Sequence, residues 1–317
     1  MIKVISFNRK EFRVTKKSNN AKGIPILLTT ALIWGIAFTA QSAGAEYLGG
    51  FSYTAIRFIL GVLLLTPAVL LLERGASDKN KLRRSVLAGI FCGFVMFGAT
   101  ALQQFGIQFT DNSGKAGFIT CLYILIVPIF GLFARKVPSF NVTIGVLLGV
   151  VGMYLLSFNG ESSSVEFGDV LVMLSAFLWA THILTIDKFA TDIYSLRFSL
   201  TQFATVAVLS TACMLLFEEV TFEAVKNAWL PLAYGGFGSV GIAYTLQAIG
   251  QRYADPTPAS LALSMESVFA ALAGAVILGE RLPIKGYIGC GLIFVAIIIA
   301  QLPEKYFKFK VKREVTK

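Results

Sequence analysis

One carboxylate in this 317-residue chain sits where a carboxylate is costly. Glu266 lies inside the run Ser260–Pro283, SLALSMESVFAALAGAVILGERLP, which is of membrane length and carries small residues along one side. A charged group at the centre of a bilayer costs about 2.5–3.5 kcal/mol on insertion scales, so it faces protein or water and often marks function. Ala259, Leu263, Ala270 and Ala273 share its face at helical spacing, which lets a neighbouring helix approach closely. Two readings stay open for Glu266. It is a protonatable group lining a cavity, able to hold a cation or exchange a proton, or it is hydrogen-bonded between helices and only orients them.

Other residues offer neutral polar and aromatic chemistry. Gln103 and Gln247 fall at equivalent places in two similar stretches; Tyr244, Gln247 and Gln251 share one helical face, as do Thr100, Gln104 and Gln108. Amides both donate and accept, which suits a polar zwitterionic ligand, and they join helices equally well. Trp34, Phe38 and Gln41 share a face of one apolar run, and Ser175, Trp179 and His182 a face of another. Both tryptophans lie about ten residues inside their runs, too deep for an interfacial belt, and aromatic walls with a few polar groups suit a small-molecule pocket. Tyr123, with Ala116, Thr120 and Val127 on its face, can add a hydroxyl. Arg57 is expected to snorkel to the membrane surface from near a helix end. Glu280 and Arg281 read as a helix-end pair. His182 is the sole histidine and has no acid at ligand spacing, which argues against a metal. It remains a candidate proton carrier or ligand contact. The four cysteines have no C-x-x-C spacing and read as small apolar fillers.

The elements that must position these residues follow from composition. Only 15% of residues are charged, against about 25% in a soluble domain, and the charges gather between long uncharged runs. Ten runs of bilayer length are expected, at 24–45, 52–72, 85–107, 114–134, 140–158, 167–187, 195–217, 229–250, 257–279 and 283–302. The runs are continuous rather than alternating, which disfavours a β-barrel. The net charge of +10 raises nucleic acid as a partner, but its placement argues against it. The N-terminal tail, the 73–84 loop, Arg135–Lys136, the 187–197 turn, Arg252 and the C-terminal tail hold 23 of the 28 Lys and Arg. That bias puts both termini in the cytoplasm. Glu46, Asp111, Glu161, Glu166, Asp169, Glu218, Glu219 and Glu223 make the opposite loops acidic. The first residues lack the apolar core of a signal peptide and read as a basic tail.

The chain also repeats. Trp34 corresponds to Trp179, Arg57–Phe58 to Arg197–Phe198, and ALQQFGIQFTD (Ala101–Asp111) to TLQAIGQRYAD (Thr245–Asp255). Five spans per half force the halves into opposite orientations, and inverted repeats around a midplane site are the construction of many secondary transporters. The expectation is therefore an all-α polytopic membrane protein of ten transmembrane helices in two inverted five-helix repeats. Residues 1–23 form a basic tail, 24–158 the first repeat, 167–302 the second and 303–317 a second basic tail.

In these features the sequence resembles the EamA-type branch of the drug/metabolite transporter superfamily. The resemblance is carried by the Trp of each half, the Arg-Phe pairs and MESVFAALAGAVILGERLPIKGYIGCGLIFVAIIIA, similar to the family's E-P-V-F-A…L-G-E…G…L-I signature. Ser267 stands where the family often has proline, and Arg135–Lys136 replace the Gly-Glu pair in the first half. The resemblance implies a secondary transporter that moves a small organic metabolite, an amino acid or related compound or a drug-like one, across the cytoplasmic membrane by alternating access. Export is the direction it favours, with no cofactor and with proton coupling as one option. The alternatives are a membrane receptor or scaffold, or an intramembrane enzyme. No G-x-x-x-x-G-K-[ST], H-E-x-x-H or G-x-S-x-G motif supports ATP use or an enzyme. Oligomeric state is left open: glycines at 145, 149, 152, 286, 289 and 291 permit helix contacts of any kind.

Overall fold

A computed structural model describes residues 19–109, 113–133, 137–157, 166–277 and 283–302. Asp111, Arg135–Lys136, Glu161, Gly279, Glu280, Arg281, residues 1–18 and the tail from 303 lie outside the described residues, as does the side chain of Lys115. What is described is helical, with no strand. The first part comprises α1 (Asn20–Ala45), α2 (Gly50–Leu72), α3 (Lys79–Gln108), α4 (Ser113–Cys121), α5 (Tyr123–Phe133) and α6 (Phe140–Ser157). The second comprises α7 (Phe167–Phe189), α8 (Ser195–Phe217), short α9 (Phe222–Asn227), α10 (Trp229–Ala233), a π-helical segment (Tyr234–Tyr244), α11 (Thr245–Gly250), α12 (Pro256–Leu263), α13 (Met265–Ile277) and α14 (Ile284–Gln301).

Seven stretches are by themselves long and apolar enough to cross a bilayer, one of them Ala116–Phe133 across the α4–α5 junction; Phe140–Leu156 is a shorter apolar helix. The expected spans at 229–250 and 257–279 are instead assembled from pieces. Residues 229–250 pass from α into π and back, through a segment with glycine at 235, 236, 238 and 241. Such backbone tolerates departure from α geometry. The other break falls at Ser264, whose Oγ donates to the carbonyl of Leu261 at 2.8 Å while Ser267 Oγ donates to the carbonyl of Ser264 at 2.8 Å. Serine hydroxyls that bond nearby carbonyls compete with the helical ladder.

The outside of the bundle is apolar. Leu71, Leu72, Leu215 and Leu216 are each about three-quarters exposed. A continuous coat of such residues would drive aggregation in water and is matched by lipid. The chain is a membrane protein.

Inside, the two parts meet through mirrored contacts. α6 packs along α14, α2 along α8, α3 along α7 and α8, and α1 against α13 and the π segment. A Cβ added at Gly23 would lie 2.9 Å from the Gly250 carbonyl, and one at Gly168 2.7 Å from that of Gly106. Positions 23 and 168 are 145 apart, and 106 and 250 are 144 apart. On α6–α14, Gly145 faces the carbonyl of Ala296 and Gly289 that of Gly152, again 144 apart. The glycines at 145, 149, 152 and 289 therefore serve contacts within the chain. Gly289→Ala is expected to cost about 1–3 kcal/mol, because the obstacle is backbone. Gly291→Ala, with nothing within 4 Å of its Cβ position, should be neutral or slightly stabilising. Thermal unfolding of the two purified variants checks this, and equal midpoints would contradict it.

The clearest mirror is a pair of carboxylate clamps. Glu218, just past α8, accepts from the backbone N–H of Phe51 at 2.9 Å and of Ser52 at 2.8 Å, and from Ser52 Oγ, at the start of α2. Glu73, just past α2, accepts from the N–H of Leu196 and of Arg197, each at 3.1 Å, at the start of α8. Each acid satisfies N–H groups that a helix start leaves without partners and places negative charge at the positive helix end. The two helices therefore run antiparallel, each end of one tied to the opposite end of the other. Glu73 and Glu218 are 145 apart. In this register Arg57 matches Gln202, not Arg197, and Phe58 matches Phe203, whose ring stands 6.0 Å from it.

Candidate functional site

Helices from both parts line one cavity. α1 contributes Trp34, Phe38 and Gln41, spaced for one helical face. α3 adds Gln103, α4 Thr120 and α5 Tyr123; α7 adds Trp179 and Ile183. The π segment supplies Ser239 and Tyr244, α11 Gln247, α12 Leu263 and α13 Glu266. The space is narrow: the centre of a water molecule can occupy only about 30 Å³ of it. In this form it admits a few waters, and a metabolite requires the walls to part.

Glu266 is the single charged residue among those lining the cavity. Tyr123 donates to its Oε1 at 3.1 Å and the Cys121 thiol approaches the same oxygen at 3.4 Å. The helix breaks at Leu122 and Ser264 bring these groups together, because Cys121 and Tyr123 end α4 and begin α5 while Glu266 opens α13. Its cross-chain contacts thus run to the opposite part of the chain.

The amides and rings form a second layer. Trp179 Nε1 donates to Gln103 Oε1 at 3.2 Å, and Gln103 Nε2 to Thr120 Oγ1 at 3.4 Å. The Tyr244 ring lies 4.6 Å from that of Trp34 and 5.8 Å from that of Trp179, nearly parallel to the latter. Among the described residues, three lining atoms have no hydrogen-bond partner: Trp34 Nε1, Gln41 Oε1 and Gln247 Oε1. Buried polar atoms are normally paired, so one donor and two acceptors are available to a guest.

Seven expected residues therefore line one cavity: Glu266, Gln103, Gln247, Tyr244, Trp34, Trp179 and Tyr123. His182 and Gln104 are outside its lining. His182 is fully buried, its Nε2 3.2 Å from Gln202 Oε1 and its ring edge-on to Trp179 and Tyr244. It backs the wall. Gln104 Nε2 reaches the carbonyl of Gln41 at 3.4 Å, Gln108 that of Leu48 at 3.2 Å and Gln251 that of Ile183 at 2.9 Å. These amides join helices. Ser239 and Ile183 escaped the sequence reading. Ser239 and Tyr244 are five residues apart, the hydrogen-bond repeat of a π-helix, and α spacing separates them. Arg57 does not snorkel; it is 2% exposed.

Comparison with known proteins accounts for the doubled construction. The sequence profile of the EamA-like transporter family matches residues 21–158 and again residues 166–301. The chain belongs to this family. An uncharacterized transporter of Archaeoglobus fulgidus is 28% identical to this EamA-family chain over 294 residues, 90% of each protein. The uncharacterized inner membrane transporter YedA of Escherichia coli K12 is 22% identical, covering 90% of this chain and 92% of YedA. A solved crystal structure, 22% identical, superposes with a TM-score of 0.75 over 91% of this chain and 99% of its own, a likeness of fold. As an EamA-family member the chain is a membrane transporter.

Proposed function

We propose that this transporter carries a small organic metabolite, an amino acid or related amine-bearing compound, across the cytoplasmic membrane by alternating access, in the exporting direction. The observation that carries the proposal is the cavity itself, walled by both family-domain copies and holding one carboxylate among aromatic rings and unpaired amide oxygens. A carboxylate and aromatic faces recognise an ammonium group, and the neutral amides suit the rest of an amino acid.

Counting α4–α5, the run 229–250 and α12–α13 as one span each gives ten spans, five per family copy. The antiparallel α2–α8 pair and the mirrored contacts at offsets of 144–145 support inversion of the copies. The excess of Lys and Arg in the expected cytoplasmic segments supports cytoplasmic termini, and a relative named as an inner membrane transporter supports the location. The narrow cavity fits an occluded form between the two open ones. Glu266 couples the cycle: it holds a proton when the cavity lacks substrate and releases it as an ammonium group takes its place. Tyr123 and Cys121 keep the carboxyl aimed inward in either state.

Counterflow tests the reading. Proteoliposomes holding the purified protein and loaded with an amino-acid mixture should accumulate labelled amino acids well above protein-free vesicles. Failure of every amino acid and amine metabolite in such a library would overturn it.

A further inference from the structure

Arg57 heads the fully buried side chains by size. Its guanidinium carbon lies 5.4 Å from the ring centroids of both Tyr53 and Phe58, and its Nε has no acceptor. Among the described residues it has no carboxylate partner and no hydrogen bond. Two ring faces offset only part of the desolvation of a guanidinium, which calls for an opposite charge. The internal repeat sharpens the imbalance. The mirror residue Gln202 is paired with His182, while the residue 145 positions before His182 is Ala37, which has nothing to pair with Arg57.

The neighbours of Arg57 lead to the cavity. Its Cδ rests against the π segment, where a Cβ on Gly235 would come within 3.5 Å of it. The same segment carries Ser239 and Tyr244 in the cavity wall. The Phe58 ring stands 6.3 Å from that of Tyr244, the two planes 28° apart. Tyr244 and Glu266 line the same cavity. A layer of aromatic rings thus separates the buried cation from the cavity and its carboxylate.

We infer that Arg57 is the recognition site for an anionic group, the carboxylate of the transported metabolite, which meets the guanidinium when Tyr244 moves aside as the cavity widens. The planar guanidinium fork matches a carboxylate through two parallel hydrogen bonds. The inference rests on the transport reading above and narrows its substrate to carboxylate-bearing amines. An inorganic monoanion such as chloride would satisfy the same chemistry from another source.

The test uses the purified full chain in nanodiscs and the variant Arg57→Gln, which installs the residue found at the mirror position. Thermal unfolding is followed against phenylalanine, phenylethylamine and phenylpropionate, and in sodium chloride against sodium isethionate. Stabilisation by the two carboxylate probes that weakens at least tenfold in apparent affinity in R57Q, with phenylethylamine unaffected, supports a substrate carboxylate. Arg57-dependent stabilisation by chloride supports the anion site with an inorganic source. Carboxylates and chloride acting equally on both proteins, or on neither, overturn the inference. Should R57Q fail to assemble, R57K, which keeps the charge and loses the fork, must weaken carboxylate binding more than amine binding; equal changes overturn it. Counterflow separates the two levels. Amine flux without any Arg57-dependent carboxylate effect removes this inference alone, whereas no flux of any metabolite removes the transport reading.

Discussion

Replacing Glu266 with glutamine is expected to lower coupled flux about 10- to 100-fold while leaving the protein folded. Glutamine preserves the volume and still accepts from Tyr123, whose hydroxyl is 3.1 Å from Oε1, so packing in α13 is retained. What disappears is the one charge in the cavity lining. A hydrogen bond to a charged group contributes about 1.5–3 kcal/mol, and about 1.4 kcal/mol is a factor of ten in binding. A fixed neutral amide also removes proton exchange, so the remaining flux should lose its dependence on pH. Cys121 and Tyr123 face Glu266 from the ends of α4 and α5, and α1 presents the neutral Trp34, Phe38 and Gln41. None of these replaces the carboxyl. Flux in proteoliposomes at two pH values decides the matter: unchanged flux with unchanged pH dependence would remove Glu266 from coupling and leave it a structural role.

The second large effect is expected from the clamps. Glu73→Ala leaves the N–H groups of Leu196 and Arg197 without acceptors, and Glu218→Ala does the same to Phe51 and Ser52. Both acids are themselves charged acceptors, so each loss should cost about 2–3 kcal/mol. The clamps lie at opposite ends of a helix of 23 residues, about 35 Å apart at 1.5 Å per residue. Distant sites add, and the double variant should lose about 5 kcal/mol, comparable to the whole stability of many proteins. Thermal unfolding of the two single variants and the double variant measures this. A double variant no weaker than either single one would show that the clamps do not hold the two helix ends independently.

Much of the candidate site was legible because polarity inside an apolar run is conspicuous. Glu266, Gln103 and Gln247 stand out from their surroundings, and Trp34 and Trp179 mark equivalent depths in the two halves. Helical spacing placed Gln41 and Phe38 with Trp34, as the cavity has them. What stayed hidden depended on departures from α geometry. Ser239 joins Tyr244 only on a π-helical face, and neither a leucine at 122 nor a serine at 264 by itself announces a helix break. His182 and Gln104 show the opposite limit. Each has the right chemistry and depth, but a rotation about the helix axis turns it towards a neighbouring helix. The Arg57–Arg197 correspondence misled because a shared dipeptide outweighed a weak apolar register. The clamps fix that register by contact. Their acids were unreadable in sequence, since a glutamate that caps a distant helix looks like any loop charge.

The clamps also bear on how the chain is made. Each half carries the cap of the other, so neither family-domain copy contains everything its own second helix needs. Glu218 lies 167 residues beyond Phe51. At a synthesis rate of about 5–20 residues per second, the start of α2 waits roughly 8–30 s for its partner to emerge. During that interval two exposed N–H groups at a membrane surface must be served by water or lipid headgroups. The halves therefore complete one another late, and a chain cut between α6 and α7 should recover its fold only when both fragments are produced together.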